Sequence, residues 1–423
     1  MNEWYARFDA RVGVCSDSRT LASGQIFFAL RGETFNGNLF APTALEQGAS
    51  TVVVDELVDG LRADDARVVL VPDTLKALQD LAHHHRMQWG KTVVGLTGSN
   101  GKTTAKELFA HVLQQKFSVL ATQGNLNNHI GVPLTLLRLL PEHEVAVIEM
   151  GANHQGEIDE LSQIAAPNLG YITNFGLAHL EGFGGPEGVV KGKSELYRFL
   201  ESTKGTSLVY YADDRQLAES REPRIVFGEN CRFTSNELGQ LAVHWSGQHA
   251  QSHLIGDFQD RALAAAVALG AHFGLTTAET ARGIEAYVPQ NNRGEWREVG
   301  AYRVFMDAYN ANPSSMSASL RNAAPRLNAN ETLYVAGDLF ELGDYAAQAH
   351  QEMVDLMQEL GILHAVLVGP LFAATKHPYT SVLRTEELAE AWSLEPPASR
   401  SIWVKGSRGM ALERAMKVLE ARP

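Results

Sequence analysis

The stretch Val93-Val94-Gly95-Leu96-Thr97-Gly98-Ser99-Asn100-Gly101-Lys102-Thr103-Thr104 decides how this 423-residue chain is read. A short apolar run breaks into a glycine turn and re-emerges as a helix pattern from Ala105 to Lys116. Strand, glycine loop and helix in that order are the context a phosphate-binding loop requires. Gly98 and Gly101 let the backbone curl so that successive N–H groups point inward. Lys102 supplies positive charge for the β/γ-phosphates, and the Thr103 hydroxyl suits Mg²⁺. Ser99, Asn100 and Thr104 complete the loop, and the following helix turns its positive end toward the anion. The longer pattern G-x-x-x-x-G-K-[ST] is not met, because Leu96 takes the place of its first glycine. A shorter T-G-x-x-G-K-T-T form fits.

The length suggests about three domains. Apolar residues make up 45% and charged residues 20%, which allows sizeable cores and argues against disorder. A net charge of −13 argues against a broad basic face for nucleic acid. The start, Met1 to Arg7, has no signal-peptide core. The most apolar helix pattern, Ala262 to Gly274, is interrupted by Gly270 and His272 and is too short to span a bilayer. Cys15 and Cys231 form no disulfide framework and no metal motif. These features imply a soluble, cytoplasmic chain that does not insert in membranes; separately, a monomer is expected.

Three α/β units follow from the pattern along the chain. Residues 1–84 alternate strands (Gln25 to Leu30, Thr51 to Asp55, Arg67 to Val71) with helices (Ala41 to Gly48, Leu75 to His85). Residues 85–295 carry the phosphate loop. Strands there are expected at Ser118 to Ala121, Glu144 to Glu149, Leu169 to Thr173 and Ser207 to Tyr211. Such alternation signals a parallel sheet covered on both faces. Short strands at Arg224 to Phe227 and Leu241 to Trp245 lead to two helices from Ile255 to about Ala286. The polar stretch Pro289 to Gly294 reads as a hinge. Residues 296–423 repeat the alternation, with strands at Val304 to Asp307, Leu333 to Ala336, Ala365 to Val368 and Ile402 to Val404.

Ligands of open α/β sheets bind outside the carboxyl ends of the strands. Glu149 stands at one such end and suits Mg²⁺ ligation. Thr173-Asn174 ends another strand and leads to His179, a candidate metal ligand. Lys191 and Lys193 open the following helix.

Several motifs together resemble the Mur ligases, which build the peptide of bacterial cell-wall precursors. They are Thr97 to Thr104, Gly124-Asn125-Leu126-Asn127-Asn128-His129-Ile130-Gly131-Val132-Pro133, Ile148 to His154 and His179 to Gly184. Asp307 to Pro313, Ala336 to Gly343 and Val404 to Gly409 resemble the branch that adds D-alanyl-D-alanine. Ser16-Asp17-Ser18-Arg19 and Phe28 to Gly37 fit the family's UDP-sugar domain. The resemblance covers about residues 15 to 412. It implies a UDP-sugar-binding N-terminal domain, a central P-loop ATPase domain and a C-terminal Rossmann-like domain. The implied activity joins D-alanyl-D-alanine to a UDP-N-acetylmuramoyl tripeptide, using ATP, two Mg²⁺ ions and an acyl phosphate.

Family roles carry over by position. Lys102 binds the ATP phosphates, Thr103 and Glu149 hold the first Mg²⁺, and His179 helps hold the second. Lys193 takes the place of the family's carbamylated lysine, with Lys191 as the alternative. Such a carbamate is an oxygen ligand suited to a hard cation. Arg293 serves the terminal phosphate, and Asp307 and Asn310 the ribose and adenine. Closure at the hinge near Asn291 brings them onto the nucleotide. In the first domain, Ser18, Asn36 and Gly37 hold the uridine diphosphate through backbone groups, with Arg19 or Arg31 near phosphate.

The chain departs from the family at Phe258-Gln259-Asp260-Arg261-Ala262, where two asparagines are usual. Gln259 keeps an amide, whereas Ala262 has no polar group. Sister ligases, namely the enzyme adding the third residue and folylpolyglutamate synthase, share the phosphate loop. The Gly337 to Gly343 segment argues against both, and the lack of an Asp-Asn-Pro-Arg motif argues against the third-residue ligases that use diaminopimelate. A nucleotide switch without chemistry is opposed by the intact set Lys102, Glu149, His179 and Lys193.

Overall fold

The computed structural model describes residues 3–290 and 292–420. Of the hinge expected at Pro289 to Gly294, Asn291 lies outside the described residues. Among the described residues, the three largest sheets stand in chain order. The first is parallel, in the order Val14–Cys15, Ile26–Phe28, Thr51–Val54 and Val68–Leu70. Apolar side chains on both of its faces are buried, among them Phe27, Phe28, Val52 and Val53. This is the continuous apolar run that a covered parallel strand requires.

The helix Thr74–Trp89 runs unbroken through the expected division at 84/85. A carboxylate of Asp73 caps it, accepting the Lys76 N–H at 2.9 Å. Its inner face fastens the first unit to the second. Gln79 donates to Glu160 at 2.8 Å, and the buried Arg86 donates to Ala165 O, Ala166 O and Asn168 Oδ1 at 2.9–3.0 Å. Burial lowers the Arg86 pKa to about 10.

The central sheet is parallel and six-stranded. Its order is Arg224–Phe227, Thr206–Tyr210, Leu169–Ile172, Thr92–Thr97, Val145–Glu149 and Val119–Ala121. The chain leaves Thr92–Thr97 toward one edge and later returns to its other side. That strand therefore sits where the winding reverses, the place where open α/β sheets bind ligands. Leu96 pairs with Glu149 and Thr97 with Ile172, so the three strand ends lie level.

One expectation fails here. No helix begins at Ile255, because Gln248–Ile255 is a strand and the helix starts at Asp260. Ala250, Ser252 and Leu254 point inward in alternation, a period of two that belongs to a sheet. The strand joins Arg232–Ser235 and Gln240–Trp245 in an antiparallel sheet of three.

The C-terminal sheet runs Glu295–Val299, Tyr302–Asp307, Ser401–Lys405, Thr332–Gly337, Ala365–Val368 and Thr380–Val382. Only its first strand is antiparallel. Asp307 and Lys405 are register partners at the carboxyl end. No helix among the described residues is long and apolar enough to cross a membrane.

Candidate active site

The phosphate loop leaves its strand at Gly98, whose φ is +136°. A Cβ there would lie 2.0 Å from Thr173 Oγ1, so both the backbone angle and the space demand glycine. Gly101, at φ +78°, precedes the helix Lys102–Leu113 as its cap. The loop is pinned to the neighbouring strand end. Thr173 Oγ1 donates to Asn100 O at 2.6 Å, Asn174 O accepts the Ser99 N–H at 3.1 Å, and Ser99 Oγ donates to Gly176 O at 2.8 Å. Lys102 Nζ donates to Gly98 O at 2.8 Å and to Ser99 O at 3.3 Å. Burial lowers the pKa of Lys102. The Glu149 carboxylate opposes that shift and Arg293 adds to it.

A cavity of about 850 Å³ opens over the loop. Ser99 to Thr104, Glu149 and His179 line it from around the central sheet, and Arg293, Asp307 and Asn310 line it from the C-terminal part of the chain. Glu149 is buried at the end of its strand. Its Oε1 accepts from Asn127 Nδ2 at 2.8 Å, whereas Oε2 is buried without a hydrogen-bond partner. A buried carboxylate oxygen left unpaired is costly in a protein alone and fits a cation ligand. Across the cavity Lys405 Nζ donates to Asp307 Oδ2 at 2.6 Å, and the Arg293 guanidinium lies 3.5 Å from the centre of the Tyr309 ring. The two units touch beside the loop, where Asn312 Nδ2 donates to Asn100 Oδ1 at 2.6 Å and Leu177 N to Ser314 Oγ at 2.8 Å.

Not every expected residue joins this cavity. Lys193 lies behind its wall. The side chain is 1% exposed, Nζ donates to Ala152 O at 3.0 Å, and the amine stands 4.7 Å from the Phe183 ring centre. Burial, and next the charge of Lys102, pushes its pKa well below the ordinary lysine range. Lys191 is exposed on the same helix. Among the departing residues, Gln259 and Arg261 line the cavity, whereas Ala262 is buried in the apolar core. Arg261 is held by Asp213 at 2.6 Å.

The first-unit residues stand apart from the cavity. Ser18 opens a short 3₁₀ turn capped by Asp17, and the exposed Arg19 pairs with that same Asp17 at 2.6 Å. Arg31 reaches Asp55 at 2.8 Å and Glu56 at 2.6 Å. Asn36 donates to Glu56 at 3.1 Å and caps the turn that begins at Gly37. Both guanidiniums thus already hold carboxylates.

Sequence reasoning assigned no role to Asn127, Asn312 or Lys405. All three stood in motifs read only for resemblance, and a polar side chain at a strand end or helix cap beside the loop was the available signal. Asp307→Ala leaves the nearly buried Lys405 amine unpaired. Its expected cost is about 3 kcal/mol of stability, which denaturant unfolding of the two proteins measures.

Three α/β units with a phosphate loop at the switch point of the middle sheet define a multidomain P-loop enzyme. The chain matches the models "Mur ligase family, catalytic domain" over residues 12–86, "Mur ligase middle domain" over 96–270 and "Mur ligase, glutamate ligase domain" over 292–422. It is 33% identical to the UDP-N-acetylmuramoyl-tripeptide--D-alanyl-D-alanine ligase of Bacillus subtilis, over 97% of this chain and 93% of the relative. The Escherichia coli ligase of the same name is 32% identical over 96% and 93%. A crystal structure of MurF from Acinetobacter baumannii superposes with a TM-score of 0.86 at 31% identity, over 96% of this chain and 93% of that one. The chain belongs to the Mur ligase family.

Proposed function

We infer that this chain is an ATP-dependent ligase of peptidoglycan precursor synthesis that adds D-alanyl-D-alanine to a UDP-N-acetylmuramoyl tripeptide. One observation carries the reading. The phosphate loop, Glu149 and His179 meet Arg293, Asp307 and Asn310 on a single cavity, in a chain similar over nearly its whole length to ligases of that name.

The reaction has two transfers. A terminal carboxylate oxygen of the tripeptide takes the γ-phosphoryl group of ATP, and ADP leaves. The dipeptide amine then attacks the acyl carbon. The C–N bond forms, the C–O bond to phosphate breaks, and the proton from nitrogen passes to solvent.

Lys102 exchanges its loop carbonyls for phosphate oxygens, and the anion restores the charge that burial disfavours. Thr103 and Glu149 would hold one Mg²⁺, which the unpaired Glu149 Oε2 fits. His179 and a carbamylated Lys193 would serve the second. Among the described residues no group of three or more His, Cys, Asp or Glu is placed to enclose a metal. Mg²⁺ at such sites rests on one or two carboxylates plus substrate phosphates. When bound, the ions neutralise charge on the transferring phosphoryl group. The lowered proton affinity of Lys193 supports carbamylation, since only the neutral amine attacks CO₂, forming a C–N bond and releasing a proton.

Arg293 is assigned to the terminal phosphate, and Asp307 and Asn310 to ribose and adenine. Ser18, Asn36 and Gly37, with Arg19 or Arg31, are assigned to the uridine diphosphate. Closure of the C-terminal unit shields the acyl phosphate from water. The working partition is 1–84, 85–295 and 296–423, in a monomeric cytoplasmic enzyme.

The test is a substrate panel read by product mass. The UDP-tripeptide with D-alanyl-D-alanine should be joined far better than with single D-alanine or L-glutamate. Efficient addition of glutamate to a folate, or of one diamino acid to the UDP-dipeptide, would assign the chain to a sister branch.

A further inference from the structure

His179 does not stand alone at the cavity. The segment Asp338 to Tyr345 of the C-terminal unit reaches across to it from a rigid base. Asp338 is fully buried and accepts the N–H groups of Leu371 and Phe372 at 3.0 and 2.9 Å. His350 Nε2 accepts the Leu339 N–H at 3.0 Å, and Ser407 Oγ accepts the Phe340 N–H at 3.0 Å. From this base Glu341 projects with φ +61°, and its carboxylate rests against Nδ1 of His179, which itself has φ +54°. Two non-glycine residues in the left-handed region therefore meet across the unit boundary. Such conformations persist where surrounding structure enforces them, often at functional sites. The backbone supports the contact, with Glu181 N donating to Glu341 O at 3.4 Å. The other charged groups that act electrostatically on the His179 ring, Lys102 and Lys193, are cations.

We propose that Glu341 is a positioning residue for the metal site, fixing the ring of His179 so that the site is complete only when the C-terminal unit is docked. The inference rests on the reading of His179 as a metal ligand. An imidazole whose Nδ1 meets a carboxylate keeps Nε2 for a cation. Metal-binding histidines almost always give their second nitrogen to a carboxylate, a carbonyl or water. Here the carboxylate comes from a different unit than the histidine. Docking and metal binding are then thermodynamically linked. Whatever factor docking adds to metal affinity, the metal returns to docking.

The experiment uses the full chain with a non-hydrolysable ATP analogue and Mn²⁺ as probe. Free Mn²⁺ is followed by electron paramagnetic resonance, and compaction by small-angle scattering. Glu341→Ala should weaken Mn²⁺ binding about 10- to 100-fold and abolish the compaction that Mn²⁺ induces in the parent protein. Glu341→Gln keeps an acceptor without the charge and should fall between. Mn²⁺ affinity within about twofold of the parent in Glu341→Ala, with His179→Ala clearly weakened, would overturn the proposal and leave the metal reading standing. Unchanged affinity in His179→Ala would overturn the metal reading itself, and the inference with it.

Discussion

Lys102→Ala is expected to slow ligation by about 100- to 1,000-fold while the protein stays folded, because the proposed mechanism sets that charge against the transferring phosphoryl group. The lysine bonds only to the carbonyls of Gly98 and Ser99 within its own loop. The loop is held independently of it, by Thr173, Asn174 and Gly176 on the adjacent strand end. Circular dichroism and thermal unfolding of the variant should therefore match the parent, while kcat falls. Turnover near that of the parent would remove Lys102, and with it the phosphate loop, from the mechanism.

Lys193→Ala should be nearly inactive, and short carboxylates such as acetate should restore part of the activity. The side chain lies in a buried slot between Ala152 and Phe183. Its removal leaves room for a small anion to stand where a carbamate would carry its oxygens. Rescue should saturate with acetate and be absent in Lys102→Ala, whose defect is a missing cation. Recovery in Lys191→Ala instead would move the role two residues along the helix. That outcome conflicts with the exposed position of Lys191.

The strand-loop-helix at Thr92–Leu113 was legible because its signals are local. An apolar run, two glycines and a helix period all lie within about twenty residues and need no partner to be read. The same holds for Val145–Glu149, apolar up to its terminal carboxylate, and for Ala365–Val368, since both faces of these strands are buried. Gln248–Ile255 was not legible, because the inward face of its alternation carries a small Ala250 and a polar Ser252 where large apolar residues would mark it, and a helix follows closely. The division at 84/85 follows the last helix signal before the strand at Val93; the helix Thr74–Trp89 spans that point and reaches the second unit through Gln79 and Arg86.

The site shows the same divide. Lys102, Glu149 and His179 could be named from strand ends and loop chemistry. Lys405 and Asn312 could not, since their importance arises from register and docking. Lys405 meets Asp307 only because two strands 98 residues apart pair in register. Asn312 reaches Asn100 across 212 residues, from one unit to another.

Phosphate release under matched substrate conditions tests the central claim most directly. Purified protein is supplied with ATP and Mg²⁺, then with the UDP-tripeptide, D-alanyl-D-alanine, or both, while phosphate and product mass are followed together. The predicted result is sustained release only when both substrates are present, with one phosphate for each dipeptide joined. Sustained release with neither substrate, or with both but without the joined product, would contradict the account.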